Sequence, residues 1–191
     1  MQLALVYSSE VRPRVTVTRF EADHAAEDAR LVRKSIDGDE GAFSALYERY
    51  ARMIHGVLLA RVPQLHVDDL LQDVFLTAWK GLENLRDPAA FGGWLSMIAR
   101  NRATDFHRRS VESVDLPDHL EAHDTTAANV EARAALDAIR SLPEAYRETL
   151  VLRLVEGMTG PEIAERTGLT PASVRVNLHR GMKLLREKLE L

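Results

Sequence analysis

Thr159-Gly-Pro-Glu-Ile-Ala-Glu-Arg-Thr-Gly168-Leu-Thr170-Pro-Ala-Ser-Val-Arg-Val-Asn-Leu-His-Arg180-Gly-Met-Lys-Leu-Leu-Arg186 decides the fold of this chain. It reads as two helices joined by a tight turn. Thr159 and Glu162 have capping-box spacing, in which hydroxyl and carboxylate satisfy the free N–H groups of a helix start. Pro161 fits a first helical turn, where its missing N–H costs nothing. Ile163 and Ala164 face inward until Gly168, which can take the left-handed conformation that ends a helix. Thr170 and Pro171 repeat the start signal. Val174, Leu178, Met182 and Leu185 then share one stripe at helical period. The opposite side carries Ser173, Arg175, Val176, Asn177, His179, Arg180 and Lys183, and no carboxylate stands between Val174 and Arg186. That pattern is a helix-turn-helix whose second helix presents long donors for phosphates and base edges.

Working outward, composition narrows the class. The chain has 191 residues, few aromatics, a formal charge of −4 and no cysteine. Disulfides, thiolate metal sites and thiol nucleophiles are therefore excluded, which fits a reducing cytoplasm. No apolar run approaches the roughly 20 residues that span a bilayer, so direct membrane insertion is not expected. Met1 to Ser9 lacks the basic and long apolar regions of a signal peptide. A negative net charge looks wrong for a DNA binder, but here the signs are segregated along the chain.

Residues 1–27 read as a loose or partner-ordered extension. Arg14-Val-Thr-Val-Thr-Arg19 alternates like a short strand without a partner strand to pair with. Glu21 and His24 have the spacing of a di-iron helix, but such sites need two copies and two further carboxylates. From Asp28 the pattern is helical. Asp39 caps a helix that carries Ala42, Phe43, Leu46, Tyr47 and Tyr50 and that ends before Pro63. In Asp69-Leu-Leu-Gln-Asp-Val-Phe75-Leu-Thr-Ala-Trp79, with Asp68 or Asp69 as the cap, the apolar stripe leaves Asp69, Gln72, Asp73 and Leu76 outside. A loop through Asn84 to Asp87 follows. The next helix, from about Ala89 to Arg109, ends in a basic run. Between Ser110 and Val130 every charged group is acidic, as in a linker. The expectation is an all-α chain. It has an extension (1–27), a helical domain (28–110), a flexible acidic linker (111–130) and a helical domain (131–191) ending in the helix-turn-helix.

In order, Asp69 to Trp79, Phe91-Gly-Gly-Trp-Leu-Ser-Met-Ile-Ala-Arg-Asn101, Leu142-Pro-Glu-Ala-Tyr-Arg-Glu-Thr-Leu-Val-Leu-Arg153 and the terminal helix-turn-helix resemble bacterial RNA polymerase sigma factors. The match is to the extracytoplasmic-function (ECF) type of the sigma-70 family, over about Asp28 to Lys188. The resemblance implies a cytoplasmic promoter-specificity subunit with no cofactor and no catalysis of its own. Its partners would be promoter DNA and core polymerase, through the clamp helices of the beta-prime subunit and the flap of beta, with an anti-sigma factor as regulator. Asp69, Gln72, Asp73 and Leu76 would dock on the clamp helices. Asn84, Leu85, Arg86, Asp87 and Asn101 would form the pocket for a flipped −10 base, whose extraction costs a few kcal/mol. Arg100, Arg102, Arg108 and Arg109 would hold phosphates. Ser173, Arg175, Val176, Asn177, His179, Arg180 and Lys183 would read the −35 element. Gly160-Pro161 departs from the aromatic-acidic pair common at that helix start, and Val176-Asn177 departs from the usual small polar and basic residues.

The alternative is a stand-alone helix-turn-helix regulator with a helical sensor or dimerisation domain. It predicts a dimer on a palindromic site and leaves the Asp69/Gln72/Asp73 patch and the Arg100–Arg109 run without a role. A further expectation concerns the free chain: slack in the linker lets the domains fold together, with its acids lying against Arg100–Arg109 and Arg175–Lys183.

Overall fold

A computed structural model describes residues 15–112 and 127–189, with side chains over 24–109 and 132–189. Eight helices are described: α1 (Val15–Ile36), α2 (Glu40–Leu59), α3 (Val67–Gly81), α4 (Phe91–Glu112), α5 (Ala127–Arg140), α6 (Glu144–Leu154), α7 (Gly160–Thr167) and α8 (Pro171–Lys188). No strand occurs among the described residues.

The starts and stops are local chemistry. Asp39 accepts from the Ala42 N–H at 3.0 Å and opens α2. Thr159 and Glu162 form the full capping box on α7, and Gly168 ends that helix at φ 75°. Thr170 accepts from the Ser173 N–H at 3.1 Å, with Pro171 in the first turn of α8. The start of α3 differs from the sequence expectation. His66 occupies the capping position without a side-chain bond, and Asp68 and Asp69 sit in the first turn. Their charge there still complements the helix dipole.

Two boundaries are corrected. α1 reaches back to Val15, so the loose extension does not hold over residues 15–27. Alternating β-branched residues carry a weak propensity, and a helix already nucleated over 28–36 propagates at little cost. Residues 1–14 lie outside the described ones. The linker is shorter than 111–130, because α4 runs through Glu112 and α5 begins at Ala127. Asp115, Asp118, Glu121 and Asp124 lie outside the described residues, so their expected contacts with the basic faces do too.

Helices α1–α4 enclose Val32, Leu46, Met53, Ile54, Phe91 and Leu95, while α5–α8 enclose Leu150, Met158, Ile163 and Val174. The two groups are docked. Helix α6 packs on α2 and α7 on the start of α4, giving one continuous apolar cluster. At Gly92 the approach is tight: a β-carbon there would stand 2.5 Å from the Arg166 carbonyl oxygen. No helix among the described residues is long and apolar enough to cross a membrane.

Candidate nucleic-acid interface

Helix α8 rests on its buried Val174 and Leu185, and Gly181 lets it close on α6, where a β-carbon would come within 2.9 Å of Leu150 Cδ1. That seating turns Arg175, Val176, His179, Arg180 and Lys183 outward and exposed, with Ser173 and Asn177 half-buried at the rim. The Ser173 hydroxyl lies 2.8 Å from that of Thr170, so it is partly engaged at the helix start. Lys183 stands 3.9 Å from Glu187, an exposed pair one turn apart that contributes little and leaves the lysine available. Val176 is 44% exposed on the same outward side.

The basic end of α4 is arranged differently. Asn101, Arg108 and Arg109 are exposed, and Arg108 lies 3.3 Å from Asp105 in a surface pair. Arg102 turns back to α3 and donates to the Thr77 hydroxyl at 2.7 Å. Arg100 points into the groove between the two domains. Its Nε and Nη2 grip both oxygens of Glu148 on α6 at 3.1 and 2.7 Å. That hydrogen-bonded carboxylate raises the Arg100 pKa against the opposing effect of burial.

In the loop before α4, Asn84, Arg86 and Asp87 are exposed, whereas Leu85 is half-buried against the core. Asp87 accepts from the Ala89 N–H at 3.0 Å and so shapes the short 3-10 turn Pro88–Ala90. On the outer side of α3, Asp69, Gln72 and Asp73 are exposed, and Leu76 is 56% exposed. Tyr47 and Trp79, both partly exposed, extend that patch with apolar area, and Phe43 stacks edge-on to Trp79 at 4.7 Å. An acidic rim around an apolar centre suits a basic, amphipathic partner helix.

Several interdomain groups carried no signal in the sequence. Arg61 donates to Glu148 at 2.8 Å and to Glu144 at 3.0 Å. Arg140 donates to the Leu59 and Val62 carbonyls at 3.0 and 2.7 Å, closing the end of α2. His55 Nδ1 lies 2.7 Å from Glu156, and the Arg166 guanidinium donates to the Arg49 carbonyl at 3.1 Å. At the same junction the buried Asp28 is held by Arg49 and by the Tyr50 hydroxyl, whose pKa is pushed up by burial. His24 on α1 reaches Glu165 on α7 at 3.4 Å, and burial holds that carboxyl above its ordinary range. Such pairs join residues distant in sequence, and no local pattern announces them.

Comparison with known proteins agrees with this geometry. Residues 46–112 match the family described as Sigma-70 region 2, and residues 132–185 match Sigma-70, region 4. The RNA polymerase sigma factor CarQ of Myxococcus xanthus is 34% identical over 80% of this chain and 92% of its own length. The ECF RNA polymerase sigma factor SigM of Mycobacterium tuberculosis is 31% identical over 82% of this chain and 81% of its own.

The chain belongs to the ECF group of the sigma-70 family.

As a sigma factor it is a promoter-recognising subunit of RNA polymerase, with promoter DNA and core polymerase as its partners. α1–α4 thus contain the match to region 2, and α5–α8 the match to region 4. Among solved structures, that of CnrH in complex with the cytosolic domain of CnrY superposes with a TM-score of 0.61 at 26% identity, covering 86% of this sigma factor and 97% of that chain.

Proposed function

We propose that this sigma factor divides its work among three surfaces. Asp69, Gln72, Asp73 and Leu76 on α3 bind the clamp helices of core polymerase. The loop from Asn84 to Asp87, with Asn101, captures a −10 base, while Arg100, Arg102, Arg108 and Arg109 hold the flanking phosphates. Ser173, Arg175, Val176, Asn177, His179, Arg180 and Lys183 on α8 read the −35 element. The observation that carries the reading is the face of α8. Its apolar stripe is seated in the helix-turn-helix, and Arg175, His179 and Arg180 stand exposed on the opposite side. The protein works in the cytoplasm and supplies no catalytic group, since polymerase performs the chemistry. The CnrH structure holds one protein partner, and by analogy a regulator, an anti-sigma factor, binds this chain.

Run-off transcription tests the whole assignment. Core polymerase supplemented with this protein is expected to initiate at discrete start sites on a library of genomic fragments, and core alone is not. Sequence-specific binding by an isolated dimer, without any transcript, would overturn it in favour of a stand-alone regulator.

A further inference from the structure

Arg61 follows the end of α2 and is assigned no part in the surfaces above. Its side chain is only 12% exposed. Its carbonyl meets His107 Nε2 at 2.8 Å, which ties it to the basic end of α4. Arg61 Nη1 and Arg100 Nε both donate to Glu148 Oε2, at 2.8 and 3.1 Å, while Arg100 Nη2 takes Oε1 at 2.7 Å. Two guanidinium groups of the region-2 domain thus close on one carboxylate of the region-4 domain. Their described acidic partners, Glu144 and Glu148, both stand on α6. If the domains part, the two cations are left side by side in water without that carboxylate, and another oxyanion can take its place.

Guanidinium forks fit phosphate as they fit carboxylate. Arg100 and Arg108 are eight residues apart on one side of α4, about 12 Å along the helix, and Arg108 is exposed. The pair is therefore one end of a basic line, suited to a chain of phosphates rather than to a single ion. We propose that Arg61 and Arg100 form a seat for a backbone phosphate of the −10 strand, which Glu148 occupies in the docked chain as an internal stand-in. This rests on the assignment of α4 to −10 DNA; Arg61 and the blocking role of Glu148 are what it adds.

The full-length protein can be titrated with a labelled, mixed-sequence single-stranded DNA, because phosphate contacts are independent of sequence. Glu148→Gln is expected to raise affinity about tenfold, as the competent open fraction grows. Glu144→Gln makes the same charge change on a group 69% exposed and is expected to do far less. Arg140→Ala loosens the docked domains by releasing the Leu59 and Val62 carbonyls while leaving Glu148 in place, and is also expected to tighten binding, although it removes a cation. It serves if Glu148→Gln fails to fold. Adding Arg61→Ala to either variant should cancel the gain and lower the salt slope by about 0.7, one phosphate on a single strand. Inorganic phosphate at matched ionic strength should displace nothing. An unchanged slope on losing Arg61, while Arg108→Ala lowers it, would overturn the seat and leave the −10 face standing. If Arg100, Arg108 and Arg109 are all without effect, the −10 assignment itself falls. No gain in Glu148→Gln or Arg140→Ala would show that docking blocks nothing.

Discussion

The outward side of α8 and the start of the basic run on α4, at Arg100 and Arg102, carry similar groups but stand in opposite states. Arg175, His179 and Arg180 are exposed and bonded to no described residue, whereas Arg100 is held by two bonds to Glu148 and Arg102 by one to Thr77. The difference comes from where each helix lies. Helix α8 packs on α5, α6 and α7 of its own domain and leaves its far side to solvent. Helix α4 lies at the junction, with α7 across its start. A basic face can therefore be ready or spoken for in one and the same fold, and composition does not distinguish the two.

The α3 patch sets the outer limit of this contrast, since it is as open as α8 in the docked chain. Gln72→Ala combined with Asp73→Arg is expected to reduce core-polymerase binding at least about a hundredfold, because a like charge at a complementary interface costs several kcal/mol. Both side chains are exposed, so the melting temperature should hold. A pull-down with normal core binding would move the polymerase contact elsewhere.

At α8 itself, Arg175→Ala or Arg180→Ala in the holoenzyme is expected to cost about 1–3 kcal/mol of promoter affinity where the contact is to a base. A phosphate contact would weaken all sequences alike. Unchanged affinity and preference in both variants would mean that the open face is merely solvated.

A change of fold stability should be separable from either effect. Thr159→Ala removes the capping hydroxyl, which accepts from the Glu162 N–H at 3.4 Å and donates to the Glu162 carboxylate at 2.7 Å. It is expected to cost about 1 kcal/mol, or about 2–4 °C in melting temperature. The Thr159 backbone and hydroxyl hold the Glu162 pKa below 4.5. This contribution is therefore complete above the ordinary carboxylate range and lost as pH falls through the lowered value. Calorimetry between neutral and acidic pH tests that sign.

The smallest effect concerns the docked state. The bond to Glu156 raises the His55 pKa above 6.5, and Asp68 adds to it against partial burial. Protonated His55 therefore favours docking. That contribution is full below 6.5 and fades as pH rises through the raised value. Scattering should show a modest opening over this interval, and His55→Ala should flatten it. An identical pH profile in the variant would remove His55 from the contact.

By itself the sequence determined what neighbours in the chain dictate. The Thr159–Glu162 box, the Gly168 stop and the Val174–Leu185 stripe are short-range patterns with one low-energy outcome, so α7, α8 and their outward donors were legible. The exposed Asp69, Gln72 and Asp73 followed from the same periodicity. Helix α1 is longer than its sequence pattern announces, because the alternation of Val15 and Val17 is a weak local preference that helix propagation overrides. Only the tertiary structure decided which of these surfaces meet. Glu148 reads as one more helical acid until α6 lies on α2, and Arg61 reads as a residue past a helix end. Their contact spans 87 positions, and it exists because the two domains close where Leu152 meets Gly56 and the Arg166 backbone meets Gly92, at a distance no periodicity encodes.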